Sequence, residues 1–187
     1  AQLLVPIVFA TIIGTVTFYG LTASMSAKRL GLSRPGLQGF LIAGAGAFER
    51  MLAVSLQAEH HPVLLVDTNR ENIATARLAG LSVLPGSVLS RFALDQTQLT
   101  SIGRFLALTR NDEVNALASL QYQRVFTRTE VYQLAPSPEG NARHEKVASD
   151  LQGRVLFGAD LTYETLEHRV ESGYTIKKTP LTADFSF

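Results

Sequence analysis

Residues 39–49 read Gly-Phe-Leu-Ile-Ala-Gly-Ala-Gly-Ala-Phe-Glu, and this stretch decides the fold. Residues 39–43 form a compact apolar run, the pattern of a parallel strand buried on both faces. Gly44 then permits a tight turn. Gly46 has no Cβ, so an approaching phosphate can reach the backbone and the N–H groups that open the next helix. Met51, Leu52, Val54 and Leu56 are expected to form the inward face of that helix.

The same alternation continues along the chain toward its C-terminal side. Residues 63–66 (VLLV) read as a second buried strand ending in Asp67, and Asn69 is placed to cap a helix that carries Ile73 and Ala76 inward and stops at Gly80. Residues 81–84 read as a third strand closed by Pro85-Gly86, and Ser90 as the cap of a further helix. Residues 104–108 (RFLAL) and 131–134 read as the fourth and fifth strands. Between them Asn111 caps a helix with Val114, Leu117 and Ala118 at inward spacing. Strands alternating with helices of this length imply a parallel sheet with right-handed crossovers. The fold class expected is therefore α/β, a Rossmann-type doubly wound parallel sheet.

Two flanking segments differ in character. No charged residue occurs in residues 1–27, and residues 3–23 (LLVPIVFATIIGTVTFYGLTA) are almost wholly apolar or small. About 20 such residues span a hydrocarbon core of roughly 30 Å as a helix. Lys28, Arg29 and Arg34 follow, which places the C-terminal side in the cytoplasm by the positive-inside bias. The chain is thus expected to begin with one transmembrane-like helix over residues 1–27 and a linker over 28–35. The nucleotide-binding domain should occupy 36–149 and a small α+β unit 150–187. In that tail, residues 154–157 read as a strand, and Thr162 caps a helix stapled by Leu161 and Leu166 and ended by Gly173. Residues 174–176 and 185–187 read as edge strands.

Composition excludes several classes. With no cysteine in 187 residues, disulfide frameworks, thiolate nucleophiles and Cys-based zinc sites are ruled out. A net charge of +1 gives no electrostatic reason to expect nucleic acid as a partner. His60, His61, His144 and His168 lie in separate segments without metal-ligand spacing, so no metal site is expected. Tyr174 and Lys178 show the Tyr-x-x-x-Lys spacing of some hydride-transfer enzymes, but that chemistry needs a helical turn where the sequence reads as a strand. No catalytic residue is expected, and the chain reads as a binding protein rather than an enzyme.

The glycine loop is more specific than a lone GxG, because an acidic residue ends the next strand about 20 residues on. Asp67 is placed to accept hydrogen bonds from ribose hydroxyls, which favours NADH over the 2′-phosphorylated NADPH. The same carboxylate could equally cap its own turn. Thr68 and Arg70 follow it, and Gly86-Ser87 and Thr109-Arg110-Asn111 follow strands three and four at the same edge. Glu49 departs from the pattern, since the third position of the fingerprint normally carries Gly or Ala. A carboxylate there is expected to push the helix outward or swing to solvent, with Arg50 offsetting its charge.

The pieces FLIAGAGAFER (40–50), VLLVDTNRENIATARLAGL (63–81) and FLALTRNDEVNALAS (105–119) together resemble the RCK/TrkA-N type nucleotide-binding domain, which regulates potassium channels and transporters. Residues 15–35 (TVTFYGLTASMSAKRLGLSRP) look like the last membrane helix and exit of a bacterial sodium (monovalent cation):proton antiporter. Residues 156–187 are similar to the short C-terminal unit of such antiporters. The resemblance implies that Gly44, Ala45, Gly46 and Phe48 form the phosphate loop and Asp67 the ribose contact; Thr68 and Arg70 count among the nucleotide-binding residues, Arg70 placed to stack on adenine or pair with phosphate. Gly86 and Ser87 would lie at the adenine side, where many relatives carry an Asp after the Gly, and Thr109 and Arg110 would line the crevice. It also implies NAD(H), or else AMP or ATP, as effector, the antiporter's membrane domain and a second copy of the chain as partners, and a bacterial inner-membrane location with the domain in the cytoplasm. Two other functions fit the fold: an NAD-dependent oxidoreductase domain, and a ligand-free dimerisation module of Rossmann shape.

Overall fold

The computed structural model describes residues 4–29, 38–98, 101–137 and 153–179. The chain divides into two compact units, Ala1–Gly36 and Leu37–Phe187. The first contains the helix α1, Leu4–Arg29. Pro6 falls in its first turn, where a missing N–H costs nothing. Ile7, Phe9, Ile13, Val16, Phe18 and Tyr19 are all exposed. The hydroxyls of Thr11, Thr15 and Thr22 donate to the carbonyls of Ile7, Thr11 and Phe18 at 2.9, 2.8 and 2.6 Å, so each is paired within the helix itself. Among the described residues no helix is long and apolar enough to cross a membrane. The transmembrane-like helix expected over residues 1–27 therefore rests on the sequence.

The second unit is an α/β sheet. Its strands are β1 (Gly39–Ala43), β2 (Val63–Asp67), β3 (Val83–Pro85), β4 (Ile102–Ala107), β5 (Val131–Gln133) and β6 (Arg154–Val155). They are joined by helices α2 (Ala47–Ala58), α3 (Arg70–Leu78), α4 (Arg91–Gln98) and α5 (Asp112–Tyr122), with α6 (Tyr163–Glu171) following β6. All pairings are parallel, in the order β3-β2-β1-β4-β5-β6. Strand order reverses between β1 and β4, and in such sheets the crevice at the carboxyl ends of these two strands receives ligands.

Alternation along β1 supplies both layers of the core. Leu41 and Ala43 point into one cluster with Val66, Phe105 and Tyr122. Ile42 points into the other with Leu65, Leu106 and Phe48. Both faces are covered by helices, which is why the strands read as continuous apolar runs. Tyr122 is fully buried, stacks on Phe105 at 4.2 Å between centroids, and donates its hydroxyl to the Val88 carbonyl at 3.1 Å. Tyr122→Phe keeps the ring and leaves that carbonyl unpaired, so the urea midpoint should fall by an amount equivalent to about 1 kcal/mol with an unchanged m-value.

The caps expected from the sequence form. Asn69 accepts from the N–H groups of Glu71 and Asn72, Asn111 from Val114, and Thr162 from Thr165. Gly80 and Gly173 end their helices at φ +75° and +82°. Two side chains expected inward are exposed: Val54 at 48 % and Leu117 at 56 %. Helix α2 buries Phe48, Glu49 and Ala53 instead, and α5 buries Asn115, Ala118, Ser119 and Tyr122. In each case the face that meets the sheet is the one carrying these residues, and the large apolar side chain beside it is left outside.

The segment after residue 150 joins the same sheet. Strand β6 pairs with β5 through Tyr132–Arg154 and Gln133–Val155, and Leu156, Leu161, Leu166 and Val170 pack into the second core cluster. Residues 174–176, expected as an edge strand, have no strand structure; Lys178 just beyond them pairs with Glu59. The strand expected at 185–187 lies outside the described residues.

Candidate functional site

A cleft of about 610 Å³ opens at the carboxyl ends of β1, β2 and β4. Its floor is the turn from β1 into α2. Gly44 adopts φ +108°, a conformation that L side chains rarely take, and its N–H donates to the Val66 carbonyl at 2.8 Å. Gly46 is the N-cap of α2 and offers no side chain to the helix. The opening N–H groups and the positive end of α2 therefore face the cleft, as an anion site requires.

Asp67 fixes this turn. Its Oδ2 accepts from the N–H of Ala45 at 2.8 Å and from Asn72 Nδ2 at 3.0 Å, and its Oδ1 accepts from the N–H of Asn69 at 2.8 Å. Asp67 thus lines the cleft and also pins its own turn. A carboxylate offers about four lone-pair sites. Three donors from the chain leave room for roughly one more.

The adjoining loops are built by local hydrogen bonds. The N–H of Gly86, at φ +135°, donates to the Asp67 carbonyl, and Ser87 Oγ accepts from the N–H of Leu89. Thr109 donates from its hydroxyl to Asn115 Oδ1 at 2.7 Å, and Asn115 Nδ2 returns a bond to the Thr109 carbonyl at 2.7 Å. Asn115 is buried, so this pair holds the β4–α5 loop rigid. Arg110 next to it is exposed at the rim.

Gly44, Ala45, Gly46, Asp67, Thr68, Gly86, Ser87, Thr109 and Arg110 all line the cleft. Two residues named with them do not. Phe48 is buried in the core, edge-to-face with Phe157. Arg70 is exposed on the first turn of α3. Asn72, Tyr163 and Glu167 line the cleft without having been singled out. Tyr163 and Glu167 stand one turn apart on α6, and the Tyr163 hydroxyl donates to Glu167 Oε1 at 3.2 Å. Burial, then the charges of Glu49 and Glu167, push the Tyr163 phenol above its ordinary range, so it stays a protonated donor.

Glu49 neither displaces the helix nor swings to solvent. It is 1 % exposed and its carboxyl turns back under the glycine loop. Burial, reinforced by Asp67 and Glu167, lifts its pKa to about 7, against smaller opposing effects of its own backbone N–H and Arg50. Arg50 does not pair with it in a direct bond; its Nη1 donates to the Ala45 carbonyl at 2.7 Å. Residue by residue, the arrangement offers recognition: an anion-facing helix start, a carboxylate beside it and polar loops at the rim.

This parallel sheet with a glycine turn at its switch point defines a Rossmann-type domain. The TrkA-N domain family matches residues 40–151, and the chain belongs to that family. The TrkA-N domain of inner membrane protein ybaL from Escherichia coli has a similar structure, with TM-score 0.54 and 15 % identity, over 72 % of this chain and 96 % of that one. The NAD(P)-binding domain of an exopolyphosphatase-related protein from Archaeoglobus fulgidus superimposes with TM-score 0.53 and 18 % identity, over 72 % and 98 % of the two chains. The GsuK RCK domain gives TM-score 0.50 at 19 % identity, over 64 % of this chain and 25 % of that one. At these identities the likeness is one of fold. The chain has no match among curated protein sequences.

Proposed function

We propose that this chain is the cytoplasmic regulatory end of a bacterial monovalent cation:proton antiporter, whose TrkA-N domain binds an adenine nucleotide, NAD(H) foremost, with AMP and ATP as the other candidates. The observation that carries the reading is the cleft over the Gly44–Gly46 turn at the β1/β4 switch point of a TrkA-N domain. An NAD(P)-binding domain of the same fold supports a dinucleotide as ligand, and a TrkA-N domain taken from an inner membrane protein supports the membrane setting.

The attachment to the membrane rests on residues 1–27. They carry no charge before Lys28, and the α1 hydroxyls bond within their own helix, as an apolar medium demands. In this reading the chain sits at the inner membrane with the Rossmann unit in the cytoplasm, and pairs with a second copy and with the antiporter's membrane domain. The nucleotide acts as an effector and is not consumed. It alters transport by binding one conformation of the domain more tightly than another.

A second reading is favoured by a separate observation: Asp67 and Glu49 are already committed to the glycine turn, as in a module that keeps the fold without the ligand. Thermal unfolding of the full chain with NADH, AMP and ATP separates the two. A ligand at about ten times its Kd adds roughly 1.4 kcal/mol, which raises Tm by about 3–6 °C in a domain of this size. No shift with any of the three at millimolar concentration would favour the structural module. Steady conversion of NADH to NAD+ by the protein would instead favour an oxidoreductase.

A further inference from the structure

The glycine turn and Glu49 meet at close range. A Cβ placed on Gly46 would lie 2.7 Å from Glu49 Oε2 and 3.2 Å from the Tyr163 hydroxyl, and one on Gly44 would lie 3.1 Å from Glu49 Oε1. The carboxyl therefore lies directly against the space that the two missing side chains leave open to a ligand. Oε2 is buried and has no hydrogen-bond partner among the described residues. A buried carboxyl oxygen without a partner is costly, and the cost is relieved by a proton, or by a proton shared with a ligand.

We propose that Glu49 makes anion binding at this loop proton-coupled: a nucleotide phosphate binds when Glu49 carries a proton, which its carboxyl donates to a phosphate oxygen. In balance, the ionised side chain takes one proton from solvent as the phosphate arrives, and no other bond is made or broken. This rests on the nucleotide reading of the cleft and adds to it a built-in response to cytoplasmic pH.

The surroundings favour this coupling. Asp67 faces Glu49 from the end of β2, and Glu167 faces it from α6, both negative. Tyr163, also on α6, directs its hydroxyl to Glu167 rather than to Glu49. Arg50 on the same helix is held by the Ala45 carbonyl, and Arg110 from the β4–α5 loop acts on Tyr163. A phosphate added beside this set further disfavours the ionised carboxyl. Titration falls near neutrality because burial already raises the group to about 7.

The test is calorimetric titration of the full chain with NADH, whose pyrophosphate diester does not titrate near pH 7, at pH 6, 7 and 8. Each pH uses two buffers of different ionisation enthalpy, so that protons are counted. Affinity should fall toward tenfold per pH unit above 7, with close to one proton taken up at pH 8 and almost none at pH 6. Glu49→Gln carries a permanent amide donor and should bind NADH equally across the range without proton uptake. Wild-type binding that is flat with pH and takes up no proton overturns the inference, and this measurement needs no variant. Binding by Glu49→Gln alone, with none by wild type even at pH 6, also overturns it, since the carboxyl then blocks whatever its charge. Binding by neither protein at any pH removes the nucleotide reading itself and the coupling with it.

Discussion

Glu49→Gln is expected to abolish a pH dependence of stability worth about 3 kcal/mol between roughly pH 4.5 and 7. In the unfolded chain this carboxyl ionises near 4.5, whereas in the folded protein burial holds it protonated up to about 7. Between those values the native state binds the extra proton, so stability falls as pH rises, and the loss is complete above 7. Below 4.5 both states are protonated, so the pH dependence ends and the full stability is present. Gln fills the same volume with no charge to bury. Urea denaturation of both proteins at pH 4, 5.5 and 8 isolates the effect from every other carboxylate. The variant should gain on the wild type with each step and exceed it at pH 8. Two curves that run parallel across this range would mean that Glu49 reaches water in solution.

Asp67→Ala should cost about 3 kcal/mol of stability and weaken NADH by roughly tenfold. Three donors lose their acceptor at once, and one of them, the N–H of Ala45, belongs to a residue with no exposure. A buried donor left unpaired loses its full solvation. The glycine turn would then be held mainly by the bond from Gly44 to Val66. The ligand term is smaller than a free carboxylate would give, because the chain has taken most of its lone pairs. Asp67→Asn keeps an acceptor for part of this set and should fall between the two. A wild-type urea midpoint in Asp67→Ala would show that the turn does not depend on this residue.

The strand–turn–helix at residues 39–49 was legible in the sequence because every part of it is local. An apolar run buried on both faces, a glycine at positive φ and an uncapped helix start are properties of neighbouring residues. Asn69, Asn111 and Thr162 were legible as caps for the same reason: each side chain bonds a backbone N–H two or three positions on. Family membership follows from these pieces in order, and the cleft lies where they place it. Whether an acidic residue after the second strand binds ribose or ties its own loop was left open. In the structure Asp67 has three partners inside the protein.

Other features were settled by packing between segments far apart in the chain. Strand β6 and helix α6 read as a unit of their own, yet β6 extends the sheet beside β5, and α6 lies against α2. Only that placement brings Tyr163 and Glu167 to the glycine turn, since no spacing within one segment encodes which helix face meets a distant loop. Val54 and Leu117 followed the helical period and still ended outside, because the faces that meet the rest of the fold carry Phe48 and Ala53 on α2 and Ala118, Ser119 and Tyr122 on α5. Glu49 is the sharpest case. Its sequence position marked it as foreign to a phosphate loop, and charge alone would send it to solvent. The tertiary structure closes α6 over α2, removes the carboxyl from water and lifts its pKa toward neutrality. Sequence determined that a glycine turn opens a helix here. Tertiary burial decided that a carboxyl with a raised pKa lies against that turn, because desolvation depends on what surrounds a group and not on which residues flank it.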